Sequence, residues 1–140
     1  MTTTARKEPR RVRRARRTAA FHAARSAAAA TPAEAYQAAE YELRSVAGRT
    51  RKRGQVRELR ESLAEQVGDV LTRADATAAQ RRLYEDKLTA RGSEAGRLST
   101  ALMCLRGAIQ LLEDTQRDFA VEHYTAHFRS EAGRLLRGVR

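Results

Sequence analysis

One stretch of the chain constrains its fold more than any other, because large apolar side chains recur in it at alternating spacings of four and three residues. These side chains are Leu98, Leu102, Leu105, Ile109, Leu112 and Phe119, with Gln116 at the intervening position. The spacing is that of an α-helix with one apolar face, and it is also the heptad spacing of a coiled coil. Small and apolar residues beside this stripe widen the face to about half of the helix circumference. A face this wide touches several neighbours, so we predict a long central helix in the C-terminal half of the chain.

Weaker patterns of the same period predict helices on either side of this one. One covers about 55–74, and a shorter one ends near Arg91. The segment Thr31–Glu34 has the residues of a capping box with proline at the first helical position, which predicts that another helix begins there. Past Asp118 the apolar positions move by about 120° around the helix. Either the helix breaks near Glu113–Asp118, or one long helix contacts different neighbours along its two halves, and we favour a break or kink.

Alanine dominates the apolar composition, which limits the size of the core. Of the 140 residues 27 are alanine, and there is no tryptophan. We therefore predict an all-α fold, with a small bundle of three to five helices over residues 32–140. An arginine-rich arm over 1–17 is predicted to be disordered because its charges repel one another, and an alanine-rich marginal helix or linker follows over 18–31.

The positive charge of the chain is concentrated in two segments. Residues 1–17 contain eight basic residues and one acid, and residues 48–57 contain five basic residues and no acid. The formal net charge of the chain is +11, so the remaining residues are together almost neutral. A nearly neutral body with two basic segments favours a polyanionic partner such as nucleic acid.

In the segment Arg10–Phe21, closely spaced arginines are followed by alanines and an aromatic ring. In this respect the segment resembles arginine-rich RNA-binding peptides, which fold as helices on structured RNA. The resemblance implies that guanidinium groups bind phosphates and that Phe21 stacks on a base. The basic turn before the helix over 55–74 is a second candidate phosphate site, because backbone N–H groups at a helix start favour anions. The candidate nucleic-acid-binding residues are Arg10, Arg11, Arg13, Arg14, Arg16, Arg17, Phe21, Arg49, Arg51, Lys52, Arg53 and Arg57.

No arrangement of residues in the sequence is typical of a catalytic or cofactor site. A glycine-rich phosphate loop and a Ser/His/Asp set are both absent from the sequence. His123, His127 and Glu131 are each four residues apart, but a structural zinc site normally has four protein ligands, so we favour a solvated helix face. The single cysteine, Cys104, is expected to be a small core residue in a reducing compartment. We predict a non-enzymatic protein with no cofactor, metal or small-molecule substrate.

These observations predict an accessory protein that binds nucleic acid, either RNA or DNA, through the N-terminal arm and the basic segment Arg49–Arg57. The alternative is a helical scaffold or adaptor that forms a homodimer or binds a partner through the Leu98–Phe119 stripe. Its basic segments would then contact an acidic protein or a membrane surface. No apolar run is long enough for a transmembrane helix, and the bias towards alanine and arginine favours a bacterial, cytoplasmic protein.

Overall fold

The computed structural model describes residues 9–47 and 53–137. This part of the chain contains six α-helices and no β-strand, which confirms the all-α prediction. The helices are α1 (Arg10–Ala28), α2 (Pro32–Ala47), α3 (Arg53–Arg73), α4 (Ala78–Thr89), α5 (Glu94–Thr115) and α6 (Arg117–Arg137). None of these helices combines the length and the apolar character needed to cross a membrane.

The number of helices and the start of helical structure differ from the sequence prediction. Five helices follow Pro32, but α1 packs against α2 and α6 as a sixth, so the predicted bundle of three to five is not confirmed. The predicted disorder of residues 1–17 is not confirmed either, because α1 already begins at Arg10. Residues 1–8 lie outside the described part of the chain. Arginine and alanine both favour helix, and the prediction gave this propensity less weight than charge repulsion.

Helix α5 lies at the centre of the bundle and contacts α2, α3, α4 and α6. Its buried side chains include most of the apolar stripe and the small residues beside it. They are Leu98, Ala101, Leu102, Cys104, Leu105, Ala108, Ile109 and Leu112. The small residues let neighbouring helices pack closely against α5. The buried side chains of α5 and of the helices around it belong to one apolar core.

The break between α5 and α6 lies inside the predicted interval. Helix α5 ends at Thr115, Gln116 leaves the helical region with φ −143° and ψ 57°, and α6 begins at Arg117. The side chain of Gln116 donates a 2.8 Å hydrogen bond from Nε2 to the carbonyl oxygen of Arg73, at the end of α3. This bond holds the break against the neighbouring helix, so α6 turns to contact α1 and α2.

Three polar contacts show how the first two helices run relative to α5. Ser26 Oγ donates a 2.9 Å hydrogen bond to the carbonyl oxygen of Ala35, and only three residues join α1 to α2, so the two form an antiparallel pair. Helix α2 is also antiparallel to α5, because its start contacts Glu113 while Glu40, further along, contacts Arg106. The start of α1 therefore lies at the same end of the bundle as the end of α2 and the start of α5.

The start of α3 lies at this end as well. Arg60, in the second turn of α3, has its Nε 3.2 Å from the Glu94 carboxylate at the first residue of α5. The opposite end of α3 is held to the end of α5 by the bond between Gln116 and Arg73. Helices α1, α3 and α5 thus begin at one end of the bundle, which we call the basic end.

Candidate nucleic-acid interface

Exposed arginines form a stripe along α1. At about 100° per residue, Arg10, Arg14, Arg17 and Arg25 lie within roughly 80° around the helix axis, and Phe21 lies inside the same sector. All five side chains are exposed to solvent. We call these residues the α1 stripe, which extends about 22 Å along the helix at 1.5 Å per residue.

The α1 stripe faces away from the bundle. Ser26, which is buried and bonded to α2, lies roughly 140° around the helix from the centre of the stripe. Arg13 is exposed at the margin of the stripe, and Arg11 and Arg16 also lie on α1. The helix thus attaches by the face that contains Ser26 and leaves its arginine face to solvent.

Phe21 is the most exposed of the large apolar side chains in the described residues, at 58%. The guanidinium carbon of Arg25 lies 5.8 Å from the centroid of its ring, within range of a cation–π interaction. The ring of His22 approaches at 5.5 Å between centroids in an edge-on arrangement. An open aromatic face between two arginines on one helix has the chemistry of a platform on which a base stacks.

The first turn of α1 lacks the groups that normally stabilise a helix start. Pro9 is at the N-cap position and makes no side-chain capping bond, and there is no acidic residue in the first turn. Free N–H groups and the positive end of the helix dipole therefore coincide with a row of arginines, which is electrostatically unfavourable in the isolated protein. A bound anion would relieve both sources of repulsion.

The second predicted segment lies only partly within the described residues. Arg49, Arg51 and Lys52 lie outside them, and Arg53 is the first residue of α3. Arg57 is exposed, with its Nε 3.9 Å from the Glu94 carboxylate.

Two further arginines contact Glu94, Arg60 at 3.2 Å and Arg97 at 3.9 Å. With Arg57, three positive charges surround one carboxylate, so this part of the basic end keeps an excess of positive charge. Glu61 lies four residues after Arg57, the spacing of an ion pair along one helix, but Arg57 forms an ion pair with Glu94 on α5.

Arg25 is a member of the α1 stripe that the sequence prediction left out. It lies beyond the dense run of arginines, and its charge alone gave no reason to include it. Its spacing could have identified it, because a residue four positions after Phe21 lies on the same face of a helix.

The apolar stripe that the scaffold hypothesis assigns to a partner is buried inside this chain. Leu98, Leu105 and Leu112 have no exposed surface, and α2 and α3 pack against α5. The predicted homodimer face is therefore occupied by the chain's own helices. Phe119, at the end of the stripe, is half-buried.

The two histidines of α6 and the cysteine are not part of this interface. His123 and His127 are exposed on α6, and within residues 9–47 and 53–137 no three His, Cys, Asp or Glu side chains are close enough to hold a metal ion. Cys104 is buried in the core, where loss of solvation raises the pKa of its thiol. A thiol in this state is a poor nucleophile at neutral pH.

Comparison of the chain with protein-family models, with curated proteins and with solved structures gives no match.

Proposed function

We propose that this protein is a non-enzymatic accessory protein that binds nucleic acid, with the α1 stripe as its principal contact. The observation that supports this most strongly is the exposed row of arginines around an exposed phenylalanine on one face of α1. Arginines hold phosphates through charge-assisted hydrogen bonds, and most of the affinity of such contacts comes from counterion release.

The length of the stripe sets the size of the electrostatic contribution. One strand of B-form DNA carries a phosphate every 3.4 Å along its axis, so about 22 Å of helix spans roughly six phosphates. The four arginines of the stripe can neutralise about four of these, which corresponds to a slope of roughly −3 to −4 in a plot of log affinity against log salt concentration. Binding of this kind depends strongly on salt and little on base sequence.

Phe21 supports a preference for nucleic acid with accessible bases. Stacking of a base on an aromatic ring contributes about 1–3 kcal/mol and does not depend on salt through counterion release. A polyanion without bases can pair with the arginines but cannot use the ring. The proposal therefore separates into an electrostatic part from the arginines and a stacking part from Phe21.

The segment Arg49–Arg57 is proposed as a second contact for the same ligand. Helices α1 and α3 begin at the same end of the bundle, and Arg57 lies near that end with excess positive charge around Glu94. A nucleic acid bound along the α1 stripe towards Arg10 approaches this end. Neutralising Arg51, Lys52 and Arg53 is then expected to weaken binding to all sequences alike.

The decisive experiment compares two triple variants of equal charge. In the first, Arg10, Arg14 and Arg17 are changed to glutamine, which keeps a similar helix propensity. In the second, three exposed arginines elsewhere are changed in the same way. They are Arg82, Arg91 and Arg117. Both variants lower the formal net charge from +11 to +8, so general attraction to a polyanion changes equally.

Affinity for a fluorescent single-stranded RNA, for the matching DNA and for a duplex is measured by anisotropy at about 100 mM salt. We expect the stripe variant to lose at least tenfold more affinity than the control variant, because only it removes direct phosphate contacts. Phe21→Ala is expected to weaken binding of the single strands and to leave the duplex unaffected. Equal losses in the two triple variants would show that the α1 stripe is not the site.

A further inference from the structure

A groove between α3 and α6 lies apart from the α1 stripe and is not used by the proposed function. Its volume is about 690 Å³, within the range of small-molecule sites. It is lined by residues from both helices. They are Gln66, Asp69, Val70 and Arg73 from α3, and Phe119, His123, Tyr124, His127, Phe128 and Glu131 from α6.

Aromatic rings form one wall of this groove. Phe119 and His123 have ring centroids 4.5 Å apart, and Tyr124 stacks on Phe128 at 5.9 Å with an angle of 28° between the rings. Phe128 is buried, whereas Tyr124 and Phe119 are half-buried and present part of their rings to the groove. The faces of such rings carry negative electrostatic potential, which attracts cations and flat electron-poor groups.

The opposite wall supplies hydrogen-bond acceptors. Gln66 Nε2 donates a 3.1 Å hydrogen bond to Glu131 Oε1, which fixes the orientation of the Gln66 amide. The amide oxygen of Gln66, Oε1, is buried and has no hydrogen-bond partner in the described part of the chain. A buried acceptor without a donor is costly, so a ligand that brings N–H groups to this point gains more than one that brings acceptors. The carboxylate of Asp69 lines the same groove.

The charge of the groove is opposite to that of the whole protein. Asp69 and Glu131 carry two negative charges and Arg73 one positive charge, so the carboxylates outnumber the guanidinium groups in the lining. The chain as a whole carries +11. A polyanion is therefore disfavoured in this groove, and a cation is favoured by the carboxylate of Asp69 and by the rings.

We propose that the groove between α3 and α6 binds a small planar organic cation rich in N–H donors, such as an amidinium or guanidinium attached to an aromatic ring. The flat group stacks against the rings of α6, and its N–H donors face Asp69 and the Oε1 atom of Gln66. The proposal does not depend on nucleic-acid binding.

Three probes of nearly equal shape test the charge requirement. Benzamidine is a planar cation, benzamide is neutral and benzoate is an anion. Each is titrated into the full-length protein at pH 7.5 and low salt, and amide shifts in α3 and α6 are followed by NMR. We expect saturable binding of benzamidine with a dissociation constant on the order of 1 mM, at least tenfold weaker binding of benzamide, and no saturable binding of benzoate.

Two single substitutions test the position of the cation. Asp69→Asn is expected to weaken benzamidine binding about tenfold, because a charge-assisted hydrogen bond is lost. Asp86→Asn on α4 removes the same charge outside the groove and is expected to change nothing. Both aspartates are exposed, so circular dichroism should show the same helix content in both variants. Equal binding of benzamidine and benzamide, absence of saturable shifts in the groove, or equal effects of the two substitutions would each overturn the proposal.

Discussion

Replacing Leu105 by alanine is expected to destabilise the protein more than most single substitutions. Leu105 has no exposed surface and lies in the middle of α5, the helix that contacts four others. Removing a fully buried leucine side chain costs about 2–5 kcal/mol, and the larger values occur where the surroundings cannot collapse into the cavity. Because α5 is held between helices on several sides, we expect a loss of about 3 kcal/mol or more. This is a large fraction of a typical total stability of about 5–15 kcal/mol.

The loss is measured by urea unfolding followed by circular dichroism, with Leu83→Ala as the matched control. Leu83 is 54% exposed on α4, so the same substitution is expected to cost less than about 1 kcal/mol there. The melting temperature of the Leu105→Ala variant should fall by roughly 10 °C, at about 2–4 °C per kcal/mol for a chain of this size. A loss below about 1 kcal/mol, or equal losses in the two variants, would refute the central position of α5 in the core.

Three further predictions concern other parts of the bundle. A methyl group on Gly107 would lie 2.6 Å from Tyr84 Oη, too close for both groups to keep their positions. Gly107→Ala should therefore stabilise the protein by about 1 kcal/mol only in a Tyr84→Phe background, and equal effects in both backgrounds would contradict the contact. Burial raises the pKa of the Cys104 thiol and so lowers its thiolate fraction at pH 8, and iodoacetamide should modify the native protein far more slowly than the unfolded protein. Thr77 caps α4 by accepting a 3.1 Å hydrogen bond from the Gln80 N–H, so Thr77→Ala is expected to cost about 1 kcal/mol in urea unfolding, and an unchanged midpoint would contradict this.

Periodic features of the sequence predicted the helical elements well, because they depend on neighbours along the chain. The apolar spacing around Leu105 and the change of face after Asp118 both correspond to structural features, a buried helix and a break at Gln116. The residue in the left-handed conformation after α3 was not predictable in this way. It is Asp75, with φ 52°, where a glycine is the usual signal.

The sequence pattern did not predict which partners polar side chains choose, either within a helix start or between helices. The capping box at Thr31 is only half formed, because Glu34 accepts its hydrogen bond from the Ala30 N–H rather than from Thr31 itself. The ion pair of Arg57 with Glu94 joins two helices whose packing no local spacing reveals.

The candidate site was likewise predictable in its residues and not in their arrangement. The residues of α1 could be chosen from charge alone, but their arrangement on one face required a helix that begins at Arg10. Because residues 1–17 were predicted to be disordered, no helical face was expected there. The groove between α3 and α6 brings together residues such as Gln66 and Glu131, which are far apart in the sequence. A sequence motif therefore could not predict this groove.

The salt dependence of binding to single-stranded RNA tests the central claim most directly. Affinity of the full-length protein is measured by anisotropy between about 50 and 200 mM salt. Contacts of the four arginines of the α1 stripe to about four phosphates predict a slope of roughly −3 in log affinity against log salt concentration for a single strand, reduced by about two units when Arg10, Arg14 and Arg17 are changed to glutamine. A slope shallower than about −1, or no binding at 50 mM salt, would contradict the proposed function.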